Sequence, residues 1–189
     1  LLVHFKDWQI CASIDGTGPT GEWIRDGLNY EKWLQNFKDG VAIKRHSRQM
    51  RLDVTLTTPG LLEVKNLFRL SKRFNVEMLT KVVFTFTPDI VLSPLALPRP
   101  LLNEIVDELL DFVEPRADKN QQSLVDVLQN LKTRPNIEET WPDVFKTKLQ
   151  EGKIYQEDIG RLRKDYKKIT LPQILSQDDR LIEWWEAIG

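Results

Sequence analysis

Residues Gln9 to Asp15 alternate Ile10, Ala12 and Ile14 with Cys11, Ser13 and Asp15, the period of two that gives a strand one apolar and one polar face. Gly16, Gly18, Pro19 and Gly21 interrupt it, glycine and proline being the strongest local breakers of regular structure. From Trp23 the period changes. Trp23, Tyr30, Trp33, Leu34 and Phe37 fall on one helical stripe, which Asp39 and Gly40 are expected to end. After a loop at Lys44 to Arg51, Leu52 to Thr57 sets Leu52, Val54 and Leu56 against Asp53, Thr55 and Thr57, and Pro59 with Gly60 turns the chain. Leu61 to Asn75 reads as a helix with Val64, Leu67, Phe68 and Leu70 inward and Lys65, Arg69, Lys72 and Arg73 outward. Lys81 to Thr87 predicts a third strand, with Val82, Phe84 and Phe86 opposing Val83, Thr85 and Thr87.

Strands separated by amphipathic helices predict parallel βαβ units with right-handed crossovers, an α/β fold. Parallel strands covered on both faces are nearly apolar throughout, so the recurring polar face predicts an interior that holds ligand, or else a half-exposed sheet in a two-layer fold. In open α/β sheets ligands gather where strands end and helices begin, which directs attention to the turn after Asp15. Beyond Thr87 four prolines between Pro88 and Pro100 predict an ordered loop. Leu102, Ile105, Val106, Leu109, Leu110 and Val113 then mark a helix that Pro100 starts and Pro115 ends. Helical segments follow at Leu124 to Leu131, Val144 to Leu149, Tyr155 to Tyr166 and Leu181 to Ile188, the last with Ser176 and Asp179 spaced like a capping box. Its stripe of Leu181, Trp184, Trp185 and Ile188 is expected to pack inward, although it could instead recruit a partner. The chain therefore divides into residues 1–115, with the strands, and a helical extension at 116–189.

A chain of 189 residues suits one substantial domain. No apolar run approaches the roughly 18 residues of a membrane span, so no membrane insertion is expected. The net charge of −1 provides no global positive field for nucleic acid. The dense basic run of Lys44, Arg45, Arg48 and Arg51 enters a strand at its N-terminal end, away from the ligand side. One cysteine, Cys11, precludes an internal disulfide or a multi-cysteine metal site within the chain, in keeping with a cytoplasmic protein; it is expected to be a small buried residue. His4 and His46 lack the spaced partners of a metal site. The first residue is Leu1, without the pattern of a signal peptide, which suggests processing or a missing upstream part.

Gly16, Gly18 and Gly21 match G-x-G-x-x-G between a strand and a helix, the setting of a dinucleotide-binding turn. Pro19, Glu22 and Trp23 lie where the pyrophosphate would approach, and the next strand lacks an acidic ribose partner at its end.

A second resemblance rests on more residues. SIDG followed by WIR and GLNYEKWLQNF resembles the fourth strand and following helix of radical S-adenosylmethionine (radical SAM) enzymes, with their "SIDG...YIR.G..W...N". VTLTTPG resembles their "VTxTNPG" stretch, and FTPDIVLSPLALP the segment after their sixth strand; the nearest subgroup is the one linked to twitch, or half-SPASM, modules. The resemblance runs from about Phe5 to Glu114. It implies a partial parallel (β/α) barrel of about three βα units followed by an α-helical extension. The family's CxxxCxxC ligands for a [4Fe-4S] cluster have no counterpart here, which implies a C-terminal barrel half, inactive alone, whose cluster belongs to a larger parent protein.

By the same resemblance Ser13 contacts the ribose of S-adenosylmethionine and Arg25 its carboxylate, roles that suit a hydroxyl and a guanidinium fork. Asp15 shares the polar face with Ser13 and could bind cofactor or substrate, or simply form the turn. Thr57, with Thr55 and Thr85, could line the cavity. The substrate is unknown. With no preceding strand, Gln9 to Asp15 is expected to be an open sheet edge prone to self-association.

Overall fold

The computed structural model describes residues 4–5, 7–85, 87–163 and 168–189. Three strands, β1 (Ile10–Ser13), β2 (Met50–Leu56) and β3 (Glu77–Val82), form one parallel sheet in the order β1-β2-β3. Ser13 pairs with Asp53, and Asp53 with Leu79, so the strands are in one register across the sheet. Between β1 and β2 lie α1 (Gly18–Ile24) and α2 (Tyr30–Ile43), and between β2 and β3 lie α3 (Thr58–Leu61) and α4 (Val64–Phe74). The other described elements are helical: α5 (Arg99–Val113), α6 (Gln122–Thr133), α7 (Ile137–Thr140), α8 (Pro142–Arg163), α9 (Leu171–Leu175) and α10 (Asp179–Ala187), with short 3₁₀ turns at Ile90–Leu92, Pro94–Ala96 and Glu114–Arg116.

One sheet face is buried. Met50, Leu52, Val54, Leu56 and Met78 join Val64, Leu67 and Phe68 of α4 and the inward stripe of α5 in one core, which continues into Leu124, Leu128 and Leu131 of α6 and Leu181, Trp184 and Trp185 of α10. The buried cluster thus crosses residue 115 without a break, and the Trp184 and Trp185 stripe packs inward. The opposite face carries Cys11, Ser13, Arg51, Asp53, Thr55, Glu77, Leu79 and Lys81, and Cys11, Leu79 and Lys81 are exposed. Arg51 pairs with Glu77 at 2.5 Å and Lys81 with Asp53 at 3.1 Å across it. The polar alternation therefore corresponds to a half-exposed face, and Cys11 is exposed rather than buried.

Several boundaries differ from the sequence pattern. The stripe from Trp23 to Phe37 spans two helices, because Gly27 at φ 79° reverses the chain and Asn29 caps α2, its Oδ1 accepting the Lys32 N–H at 2.9 Å. Gly40 lies inside α2 rather than ending it: a Cβ there would sit 2.8 Å from the Met50 sulfur, so the missing side chain leaves room for Met50. β3 starts at Glu77, four residues before the expected Lys81, since Asn75 ends α4 in the left-handed conformation at φ 47° and the chain extends at once. The pattern missed this because Thr80 is a buried polar residue and Leu79 an exposed apolar one. Phe86, inside the expected third strand, Tyr166, at the end of an expected helix, and Leu1 to Val3 lie outside the described residues. α8 is continuous where two segments were expected; Gly152 in its middle lets it settle on Ile90, whose Cγ2 would lie 2.5 Å from an added Cβ. Asp178, not Ser176, caps α10, its carboxylate accepting the Arg180 N–H, while the Ser176 hydroxyl donates to the Gln173 carbonyl. Full capping boxes occur at Asn136 with Glu139 and at Thr170 with Gln173. No described helix is long and apolar enough to cross a membrane.

Candidate functional site

At the C-terminal ends of the strands, β1 leaves the sheet and a side chain takes over its pairing. The Ile14 N–H donates to the Asp53 carbonyl, and the next acceptor in the ladder is the Asp15 carboxylate: Oδ1 accepts the Thr55 N–H at 2.7 Å. Oδ2 lies 2.7 Å from Nε of Arg25. Asp15 is almost wholly buried, whereas the Arg25 side chain is 38% exposed. The Asp15 contact engages the inner nitrogen of the guanidinium. No hydrogen bond among the described residues involves Nη1 or Nη2, the two nitrogens that form a flat, two-pronged donor.

The glycine turn closes on itself. Gly18 adopts φ 50°, which favours glycine, and a Cβ on Gly21 would collide with the Gly16 carbonyl, lying 2.6 Å from its carbon. The N–H and hydroxyl of Thr17 both donate to Oε2 of Glu63, at 2.8 and 2.5 Å. Glu63 is buried and also accepts from Asn66 at 3.3 Å. A carboxylate from the β2–α4 connection therefore fills the place at which a dinucleotide pyrophosphate would meet the turn's N–H groups, and the spacing of Gly16, Gly18 and Gly21 is accounted for by backbone packing. Glu63 carries no motif in the sequence and is found only through the fold.

The following turn is built alike. Thr57 ends β2 as the N-cap of α3, its hydroxyl accepting the Gly60 N–H at 3.0 Å. Thr57 also lines a cavity of about 310 Å³ together with Trp23, Val83, Thr85, Asp89, Tyr155, Gln156 and Arg163. α8 forms one wall, locked to the loop after β3 by Gln156, whose Nε2 donates to Oδ1 of Asp89 at 2.6 Å. The cation Arg163 faces Asp26 at 4.0 Å. Asp89, Tyr155, Gln156 and Arg163 have no sequence signature as site residues: they become neighbours only because α8 returns over the strand ends.

Of the four residues picked from the sequence, Asp15 and Arg25 meet directly, Thr57 reaches the cavity, and Ser13 lies on the half-exposed face level with Asp53. Ser13, Asp15 and Arg25 are not part of the cavity lining. The basic run lies at the opposite end of the sheet, where Arg51 pairs with Glu77. Among the described residues no group of histidine, cysteine, aspartate and glutamate is arranged to hold a metal ion. Comparison with protein-family models, with curated proteins and with solved structures returns no significant match.

Proposed function

We propose that this chain is part of a radical SAM enzyme, a partial parallel (β/α) barrel that contributes contacts to S-adenosylmethionine and to substrate. The observation that supports this most is the Asp15–Arg25 ion pair at the end of β1: it meets the guanidinium at Nε and leaves the Nη edge for a carboxylate. On this reading Arg25 receives the carboxylate of the methionine moiety and the Ser13 hydroxyl meets the ribose. Thr57, Thr85 and the wall formed by α8 bound the substrate side. Asp15 serves by positioning, since both its oxygens are already engaged.

The cofactor contributes the adenosyl group whose reductive cleavage begins hydrogen abstraction in the resembled enzymes. A [4Fe-4S] cluster does not fit this chain's residues, because Cys11 is the sole cysteine and a cluster needs several thiolates. The chain alone is therefore expected to bind without turnover.

Calorimetric titration with S-adenosylmethionine tests the reading. Arg25→Ala should weaken binding about tenfold or more, the loss of a charge-assisted pair worth roughly 1.5–3 kcal/mol. Decarboxylated S-adenosylmethionine should bind wild type and variant alike. No binding to wild type, or equal binding of the carboxylated form by both proteins, contradicts it.

A further inference from the structure

Where α8 crosses the loop after β3, the Asp89 carboxylate is only half used. Asp89 precedes the 3₁₀ turn Ile90–Leu92 in the capping position but makes no cap bond. Instead its Oδ1 accepts the Gln156 Nε2–H at 2.6 Å. Gly152, one turn earlier on α8, makes this meeting possible: a Cβ there would lie 2.5 Å from the Ile90 side chain and 3.3 Å from the Pro88 carbonyl, so the glycine lets the helix come close enough for Gln156 to reach Asp89. A carboxylate only accepts, so the amide must present its NH₂ group to Asp89 and turn Oε1 away from it.

Two acceptors are then left over, Oδ2 of Asp89 and Oε1 of Gln156. No further hydrogen bond or ion pair among the described residues involves either side chain. Both residues line the 310 Å³ cavity, and Gln156 is only 5% exposed. Acceptors held out of bulk water call for a donor. The rest of the lining does not provide a matching cation, since Arg163 faces Asp26 at 4.0 Å and forms no described pair with Asp89. Trp23, Val83, Leu92 and Ile159 make the remaining wall apolar.

We propose that this cavity binds an aliphatic primary amine, its ammonium donating to Oδ2 of Asp89 and Oε1 of Gln156 and its alkyl stem lying against the apolar wall. The hydroxyls of Thr85 and Tyr155, on the same lining, can accept a third N–H. A guanidinium is disfavoured because it pairs best with both oxygens of one carboxylate, and Gln156 already holds Oδ1. An ammonium is a compact point charge that needs no such fork. The cavity is near the small end of ligand pockets, roughly 300–1,000 Å³, so it takes a small free amine or a single lysine side chain. Naming that amine the substrate rests on the function proposed above; the binding does not.

The test is a titration of the full chain with n-pentylamine, followed by amide NMR signals with no cofactor present. The expected result is saturable shifts at millimolar concentration around Thr85, Asp89 and Gln156, with the neutral analogue n-pentanol binding roughly tenfold more weakly or worse. Asp89→Asn keeps the shape and an acceptor for Gln156 but puts an NH₂ group in place of Oδ2, and should weaken pentylamine by a similar factor. Glu157→Gln removes the same charge from an exposed neighbour outside this lining and should leave binding unchanged. Should Asp89→Asn fail to fold, the contrast between amine and alcohol on the wild type still decides. Nα-acetyl-lysine amide separates the two sources: tighter binding than pentylamine assigns the site to a lysine side chain, weaker binding to a free amine. No saturable shift, equal binding of the alcohol, or wild-type affinity in Asp89→Asn overturns the proposal. Cofactor binding without amine binding would remove this proposal alone, whereas amine binding without cofactor binding would keep the amine site and remove the radical SAM reading.

Discussion

Replacing Asp15 with alanine removes the acceptor of the Thr55 N–H and the partner of Arg25 in one step. Thr55 lies on the central strand opposite Lys81 of β3, two residues past the last pairing with β1, and its N–H donates to no other acceptor among the described residues. A buried donor left without a partner costs roughly 1–3 kcal/mol. The ion pair adds little, below about 1 kcal/mol, because the exposed part of Arg25 is screened by solvent. Asp15→Ala should therefore destabilise the chain by about 2–3 kcal/mol, a fall in melting temperature of roughly 4–12 °C at this size. Asp15→Asn keeps an oxygen for Thr55 and should cost about 1 kcal/mol. Urea unfolding followed by circular dichroism gives both values, and an unchanged slope shows that the unfolded state is not involved. If alanine costs no more than asparagine, or less than about 0.5 kcal/mol, the carboxylate is not the structural continuation of the β1–β2 ladder described above.

Gly21→Ala should be far worse than Gly18→Ala in the same unfolding assay: the first drives a Cβ into the Gly16 carbonyl, whereas the second meets nothing within 4 Å and costs only about 1–2 kcal/mol for its positive φ. Equal losses would contradict the turn geometry. Ser123→Ala should cost about 1–2 kcal/mol and speed hydrogen exchange at Thr80, whose N–H it leaves without a partner. Hydrogen bonds from Arg99 and from the Asn136 N–H hold the Glu139 carboxyl down at about 2. Its folded-state pKa lies below the ordinary value of 4.5, so its contribution is present in full above about pH 4.5 and fades as pH falls toward 2. Carbon-detected titration should place the midpoint near 2, and Glu139→Gln should flatten the acid limb of the stability curve; a midpoint near 4.5 would contradict the pairing.

The parallel α/β order was legible because β1, β2 and α4 alternate or repeat cleanly, with Leu52, Val54 and Leu56 inward on β2 and Val64, Leu67 and Phe68 inward on α4. β3 was misplaced where that code breaks, at buried Thr80 and exposed Leu79. Trp23 and Tyr30 are seven apart and look continuous to a periodic search, yet Gly27 and Asn29 separate them; the Asp26-Gly27 pair was the available signal. The candidate site was legible only in part. A strand–turn–helix pattern marks Ser13, Asp15 and Arg25, but which oxygen of Asp15 serves the sheet and which serves Arg25 depends on the alignment of β1 with β2, residues 40 apart in sequence. Glu63, Gln156 and Arg163 depend on longer returns of the chain, and no local pattern records those.

The measurement that bears most directly on the proposed function is a titration of the isotope-labelled chain with S-adenosylmethionine, followed by amide and arginine side-chain NMR signals. The account predicts saturable shifts confined to Ser13 through Arg25, Thr57 and the α8 wall near Gln156, with the Nη signals of Arg25 slowed and sharpened and no response to nicotinamide dinucleotide. Shifts absent at millimolar cofactor, or shifts at Gly16 to Gly21 produced by the dinucleotide instead, would contradict it.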